Sequence, residues 1–140
     1  MEMTEAANAE LLEKLLEGKT VQLAPQGISM LPFIHGGSDK VLVRKEERID
    51  VGDIVLAPYH GRLILHRVYA INGTRLILMG DGNLKGHEEL DRSEVCGKVL
   101  KIVKPNGHSR KLTRACLWRK LLPVRKPLMK LYMKWNKIVS

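Results

Sequence analysis

A chain of 140 residues has room for one domain with a single hydrophobic core, and it contains no run of about 18 uncharged apolar residues that predicts a membrane span. Its formal net charge of +9 is unevenly distributed, because residues 110–140 hold 10 of the 24 Lys and Arg residues and none of the 15 acidic ones. The other 109 residues carry 14 basic and 15 acidic groups, so we expect the C-terminal segment to be the part that meets anionic partners.

The first 18 residues predict an amphipathic helix. Thr4 can cap its N-terminus and Gly18 can end it, while apolar residues recur at helical spacing, namely Ala7, Leu11, Leu12, Leu15 and Leu16. Five glutamates among the first 17 residues, with no basic start, argue against a secretory signal peptide. We therefore expect a cytoplasmic protein.

Residues 19–105 change to a period-two pattern, which predicts a mainly β domain. Six β-branched or Leu-rich runs are separated by Gly, Pro, Asn and Asp, and they cover residues 21–24, 40–44, 53–57, 62–71, 74–79 and 95–103. Asn72-Gly73 between the fourth and fifth runs predicts a hairpin with a two-residue type I′ turn.

That hairpin predicts which side chains share a surface. If Asn72 and Gly73 are the two loop residues, His66 faces Met79 and Ile64 faces Asp81. Asp81 is then a diagonal same-face neighbour of His66, with about 7–8 Å between the Cα atoms. The pairing therefore predicts an imidazole and a carboxylate on one face of the sheet.

Three short motifs carry groups that fit one chemistry. They are Gly27-Ile28-Ser29-Met30-Leu31-Pro32, then Leu65-His66-Arg67-Val68, then Gly80-Asp81-Gly82-Asn83 with Asp91-Arg92 beyond it. A hydroxyl attacks a carbonyl group usefully only when a base removes its proton, so a serine, a histidine and a carboxylate are the groups that nucleophilic acyl transfer needs.

The order G-x-S-M-x-P, then Gly52-Asp53-Ile54-Val55, then H-R-V, G-D-x-N and D-R, resembles the type I signal peptidases and the self-cleaving LexA-like repressors that share their fold. The resemblance covers about residues 20–103. It implies that Ser29 is the nucleophile, with its own backbone N–H in the oxyanion hole, and that His66 is the general base. Bacterial housekeeping signal peptidases and the LexA-like repressors have a lysine at this position, whereas the endoplasmic reticulum and sporulation-type branch has a histidine.

An imidazole base needs an orienting carboxylate, and two residues compete for that role. In the histidine branch the residue resembling Asp91 is the usual third member, and the one resembling Asp81 supports the site. Residues 84–90 are inserted between the two motifs, so both Asp91 and Asp81 remain candidates. Asp53 is expected to be a turn residue.

Neither a metal nor a cofactor is expected. Four histidines lie in polar segments without metal-ligand spacing, and they are His35, His60, His87 and His108. The glycine pairs lack the Lys-Ser/Thr partner of a phosphate loop, and Cys96 and Cys116 have no redox or metal spacing.

Residues 106–140 form a basic amphipathic segment. Pro123 and Pro127 divide it into two short helices or one broken helix. An apolar face with Trp118, Tyr132 and Trp135 lies opposite several lysines, which fits either packing on the β domain or an anionic membrane surface. Nucleic acid is the least favoured partner, although the charge alone would suit it.

The sequence thus predicts three parts: an N-terminal helix (residues 1–18), a signal peptidase-like β domain (19–105) and a basic helical tail (106–140). The predicted function is that of a serine endopeptidase with a Ser-His-Asp mechanism. It would cleave an extended segment of a peptide or preprotein that adds to a strand edge, after small residues. The alternative is a peptide-binding module of the same fold without turnover, and a self-cleaving DNA-binding regulator is disfavoured because no helix-turn-helix segment precedes the β domain.

Overall fold

The computed structural model describes residues 5–27, 29–31, 33–82 and 86–111, and these form a mainly β domain, as predicted. One helix, α1 (Glu5–Leu16), precedes the strands. The strands are β1 (Val21–Leu23), β2 (Lys40–Arg44), β3 (Ile54–Tyr59), β4 (Arg62–Asn72), β5 (Arg75–Met79), β6 (Glu88–Asp91), β7 (Gly97–Val103) and β8 (Ser109–Lys111). A 3-10 helix (Arg92–Glu94) links β6 to β7.

Helix α1 ends in a glycine-dependent cap. Gly18 has a φ of 81°, and its N–H donates to the carbonyl of Leu15 while the N–H of Lys19 donates to that of Lys14. This is the Schellman arrangement, which a residue without Cβ adopts at the least cost. Leu11 and Leu15 are buried on the sheet. Thr4, which was expected to cap the helix, lies outside the described residues.

The strands form one antiparallel sheet in the order β1-β2-β7-β3-β4-β5-β6, with β8 also paired to β7. Both faces are covered by apolar side chains. One core lies under α1 and includes Leu63 and Leu65 of β4, and the other includes Ile64 and Val68. Because side chains of a strand alternate between faces, β4 contributes to both cores along its length.

The register of the β4–β5 hairpin differs from the predicted one. The loop residues are Gly73 and Thr74, because Asn72 pairs with Arg75, and Gly73 alone in this loop has a positive φ, of 62°. A positive φ at the first loop position only is the pattern of a type II′ turn, so the predicted type I′ turn at Asn72-Gly73 is wrong.

A β-bulge then changes which residues of β4 and β5 share a face. The register shifts between Val68 and Ala70, so Met79 pairs with Arg67 and not, as predicted, with His66. Moving the turn alone would have preserved the faces, whereas the one-residue bulge exchanges them. It therefore brings Asp81 to the side of the sheet that holds Arg67.

The sheet continues into the segment that was predicted to be the tail, since β8 pairs with β7 and Arg110 lies opposite Ile102. The rest of that segment, residues 112–140, lies outside the described residues, and so do its predicted helices and aromatic face. Within the described ranges no helix has the length and hydropathy needed to cross a membrane.

Candidate active site

Ser29 lies in the connection between β1 and β2, in a turn that is anchored next to it. The N–H groups of Phe33 and Ile34 both donate to the carbonyl of Met30, at 3.0 Å. Met30 and Ile34 are 5% and 1% exposed and belong to the core under α1. Burying two large apolar side chains contributes about 2 kcal/mol each. The anchored neighbours fix the position of Ser29. Ser29 itself is half-buried, so its side chain remains accessible from the solvent.

The same connection folds back tightly on itself. A Cβ atom at Gly36 would stand 2.0 Å from the carbonyl oxygen of Gly27, and the N–H of Gly37 donates to the carbonyl of Pro25 at 3.0 Å. Only a glycine allows such a close approach of two backbone segments. The chain after Ser29 therefore fixes the chain before it.

The segment after β5 holds the serine turn from the other side. The N–H of Gly82 donates to the carbonyl of Ser29 at 2.8 Å, and the N–H of Asp81 points to the sulfur of Met30 at 3.4 Å. The G-x-S-M and G-D-G motifs, 50 residues apart in the chain, are thus joined by their backbones. Each motif therefore helps to hold the other in position.

A buried ion pair supports this junction. Asp81 receives two hydrogen bonds from the guanidinium group of Arg67, both at 2.7 Å, and both side chains are 0% exposed. Arg67 also donates to the carbonyl of Gly52 at 2.7 Å, and its guanidinium carbon lies 5.1 Å from the centre of the Phe33 ring. A buried charge is tolerated only when it is paired, so Asp81 neutralises Arg67. The structure does not place it on the His66 ring.

The carboxylate that the structure places on the imidazole is Glu88. Nδ1 of His66 lies 2.5 Å from Oε1 of Glu88, and the two side chains are 11% and 16% exposed. The sheet explains the contact: Glu88 pairs with Leu78, which pairs with Val68, two residues from His66 on the same face. With Nδ1 occupied, Nε2 is the ring nitrogen that can act as a base.

Asp91, the other predicted partner of His66, has a different role. It is the N-cap of the 3-10 helix, and its Oδ1 accepts from the N–H of Ser93 at 3.0 Å and from its hydroxyl at 2.8 Å. These hydrogen bonds from Ser93 lower the pKa of the Asp91 carboxyl. Asp91 is three residues beyond Glu88 in β6, about 10 Å along the strand. Its carboxylate caps the 3-10 helix and does not contact His66.

Sequence reasoning missed Glu88 because it falls within residues 84–90, which were interpreted as an insertion. The strand that carries it has only four residues, Glu88–Asp91, with two adjacent glutamates and one buried leucine. That pattern is too short to predict a strand. The signal that the sequence does contain is chemical: an imidazole base needs a carboxylate, and Glu88 is one of the acidic residues close to the G-D-G-N motif.

Ser29, His66 and Glu88 line a single cleft of about 460 Å³. One wall is residues 25–27 of the serine connection, and the other is the first half of β4, from Arg62 to His66. β5 pairs with β4 only from Arg67 onward, while β3 pairs with residues 62–67 on the other side. No described strand therefore occupies the cleft-facing edge of residues 62–66.

Other reactive groups do not form a second centre in the described part of the chain. There, no group of three or more His, Cys, Asp or Glu side chains is placed to hold a metal ion. Burial raises the pKa of the Cys96 thiol, which keeps it protonated and weakly nucleophilic. Cys116 lies outside the described residues.

A mainly β domain with a serine and a histidine in one cleft contains two of the groups that serine peptidases use. A family model described as Peptidase S24-like matches residues 3–100, and the chain belongs to that family. The match supports the signal peptidase and LexA-like superfamily that the motifs predicted. Comparison with curated proteins gave no match.

Proposed function

We propose that the protein is a serine endopeptidase in which Ser29 is the nucleophile, His66 the general base and Glu88 the group that orients the base. The observation that carries the proposal is the contact between His66 and Glu88 in the cleft that Ser29 also lines. It supports a histidine-type mechanism, like that of the endoplasmic reticulum and sporulation-type signal peptidases, with a glutamate where the sequence suggested an aspartate.

In this mechanism Oγ of Ser29 attacks the carbonyl carbon of the substrate while Nε2 of His66 accepts the hydroxyl proton. The resulting imidazolium is stabilised by the carboxylate of Glu88 and passes the proton to the leaving amine. Nε2 then takes a proton from a water molecule as its oxygen attacks the acyl carbon, and returns that proton to Oγ of Ser29 when the ester bond breaks. The N–H of Ser29 is assigned to the oxyanion hole on the family likeness.

The substrate is an extended peptide segment that pairs with the cleft-facing edge of β4. Among the described residues no strand pairs with residues 62–66 there, and strand addition at such an edge gives affinity through main-chain hydrogen bonds. The edge leads directly to His66, which places the peptide carbonyl groups next to the serine turn. Small residues before the cut are assigned on the family likeness.

The same open edge favours one alternative, a module that binds a peptide without cleaving it. Strand addition requires the edge of β4 and not the reactivity of Ser29. The two functions differ in turnover, and a library of unstructured peptides incubated with the full chain and analysed by mass spectrometry separates them.

The matched pair for this experiment is Ser29→Ala and Ser38→Ala, since Ser38 is an exposed serine of the same connection that donates to the carbonyl of His35. We expect the native chain and Ser38→Ala to cut the same peptides and Ser29→Ala to cut none. Equal cleavage by Ser29→Ala contradicts the serine mechanism. Peptides that bind to the native chain and stay intact establish the alternative.

A further inference from the structure

Arg62 occupies the end of the cleft away from the catalytic groups. It is the first residue of β4, it is exposed, and it lines the cleft. Arg67 of the same strand is paired with Asp81, and other exposed arginines such as Arg44 and Arg48 are paired with nearby carboxylates. Within the described ranges Arg62 has no such partner, so its guanidinium group is available to a ligand.

The strand sets the distance between this cation and the catalytic histidine. Arg62, Ile64 and His66 alternate with Leu63 and Leu65, which point into the core under α1. The first three therefore share one face, and at about 3.3 Å per residue the Cα atoms of Arg62 and His66 are about 13 Å apart. Glu88 adds a carboxylate at the His66 end only.

We propose that Arg62 is a specificity residue that selects substrates with an acidic side chain four positions from the residue opposite His66. This rests on the proposed addition of a peptide to the edge of β4. In an added strand, the residue opposite Arg62 lies on the same face, where opposite charges attract and the guanidinium group can bind a carboxylate with two hydrogen bonds. Because the cation of Arg62 lies at one end of the cleft and the carboxylate of Glu88 at the other, the acidic residue of the substrate is preferred at the Arg62 end only.

The preference is moderate because Arg62 is exposed. A favourable cross-strand charge pair corresponds to about a twofold to fivefold change in affinity, and a like-charge pair to a similar loss. Glutamate and lysine at the selected position should thus differ by about tenfold at low salt, and by less at high salt, since exposed charges are screened.

Binding measured with the Ser29→Ala chain tests the inference without turnover. The probe is a set of fluorescent nine-residue peptides of β-forming sequence, with Glu, Gln or Lys at each position in turn. We expect Glu to be favoured at one position, and Arg62→Glu to reverse that preference to Lys. Lys101→Glu, an equal charge change at an exposed residue of β7 outside the cleft, should leave the preference unchanged.

A preference that survives Arg62→Glu, or binding that is indifferent to charge at every position, overturns the inference, and so does the absence of binding. Cleavage of the same peptides by the native chain is scored separately. Cleavage without a charge preference leaves the peptidase proposal standing while Arg62 is excluded, and a charge preference without cleavage supports Arg62 and the non-cleaving alternative.

Discussion

Replacing Glu88 by glutamine should abolish most of the activity while leaving the fold intact. In the proposed mechanism the carboxylate stabilises the imidazolium that forms when His66 takes the serine proton, and the contact is largely shielded, with side chains 11% and 16% exposed. Unit charges about 4 Å apart at an effective dielectric constant of about 20 interact by about 4 kcal/mol. Loss of that energy from the transition state lowers the rate of the chemical step by about 10³.

The amide of glutamine can also select the wrong tautomer of the imidazole, because its NH₂ group donates where the carboxylate accepted. Loss of orientation in a Ser-His-Asp site costs about 10⁴ in kcat. We therefore expect kcat for a cleaved peptide to fall by about 10³ to 10⁴, with little change in KM, since Glu88 acts on the proton transfer and not on the strand edge.

The matched control is Glu89→Gln, which alters the next residue, an exposed glutamate 3.8 Å from the ring of His87. Kinetics on one peptide and thermal unfolding of both variants give the comparison. Full activity of Glu88→Gln, or equal losses in the two variants, refutes the role assigned to Glu88.

Four further results are expected. Asp81→Asn should lower the free energy of unfolding in urea by about 3–5 kcal/mol, because it removes one charge of a fully buried ion pair, and a stability equal to the native chain would contradict this. Asp91→Ala should lower the melting temperature through loss of the helix cap but keep kcat, so a catalytic defect at full stability would restore it as the orienting residue. Gly36→Ala should displace the serine turn and abolish cleavage, since its Cβ would meet a carbonyl oxygen at 2.0 Å, and an active variant would show that the turn can yield. Removing residues 112–140 should abolish salt-sensitive sedimentation with anionic vesicles without slowing peptide cleavage, because each lysine or arginine near the vesicle surface contributes about 1 kcal/mol to binding. If the full chain does not sediment with vesicles at low salt, packing of the tail on the β domain is favoured. If it sediments with nucleic acid instead, phosphate binding is favoured.

The sequence was sufficient for the β pattern, because period-two alternation is a local property, and the resemblance of its motifs to a known family implied that Ser29 and His66 share one site. It was not sufficient for the carboxylates. The predicted contact between His66 and Asp81 depended on an uninterrupted hairpin, and the bulge near Tyr69 exchanged the faces. A bulge is set by packing on both faces of the sheet, which no pattern within β4 displays.

His66 and Arg67 are neighbours in the chain, yet they serve opposite faces of β4. His66 meets Glu88 and the cleft, whereas Arg67 is enclosed with Asp81 and Phe33 on the other side. A substitution of His66, the proposed proton acceptor, therefore does not touch the ion pair that holds the two loops together. Such a strand gives the cleft and the scaffold separate faces, so a change of chemistry on one face need not alter the packing on the other.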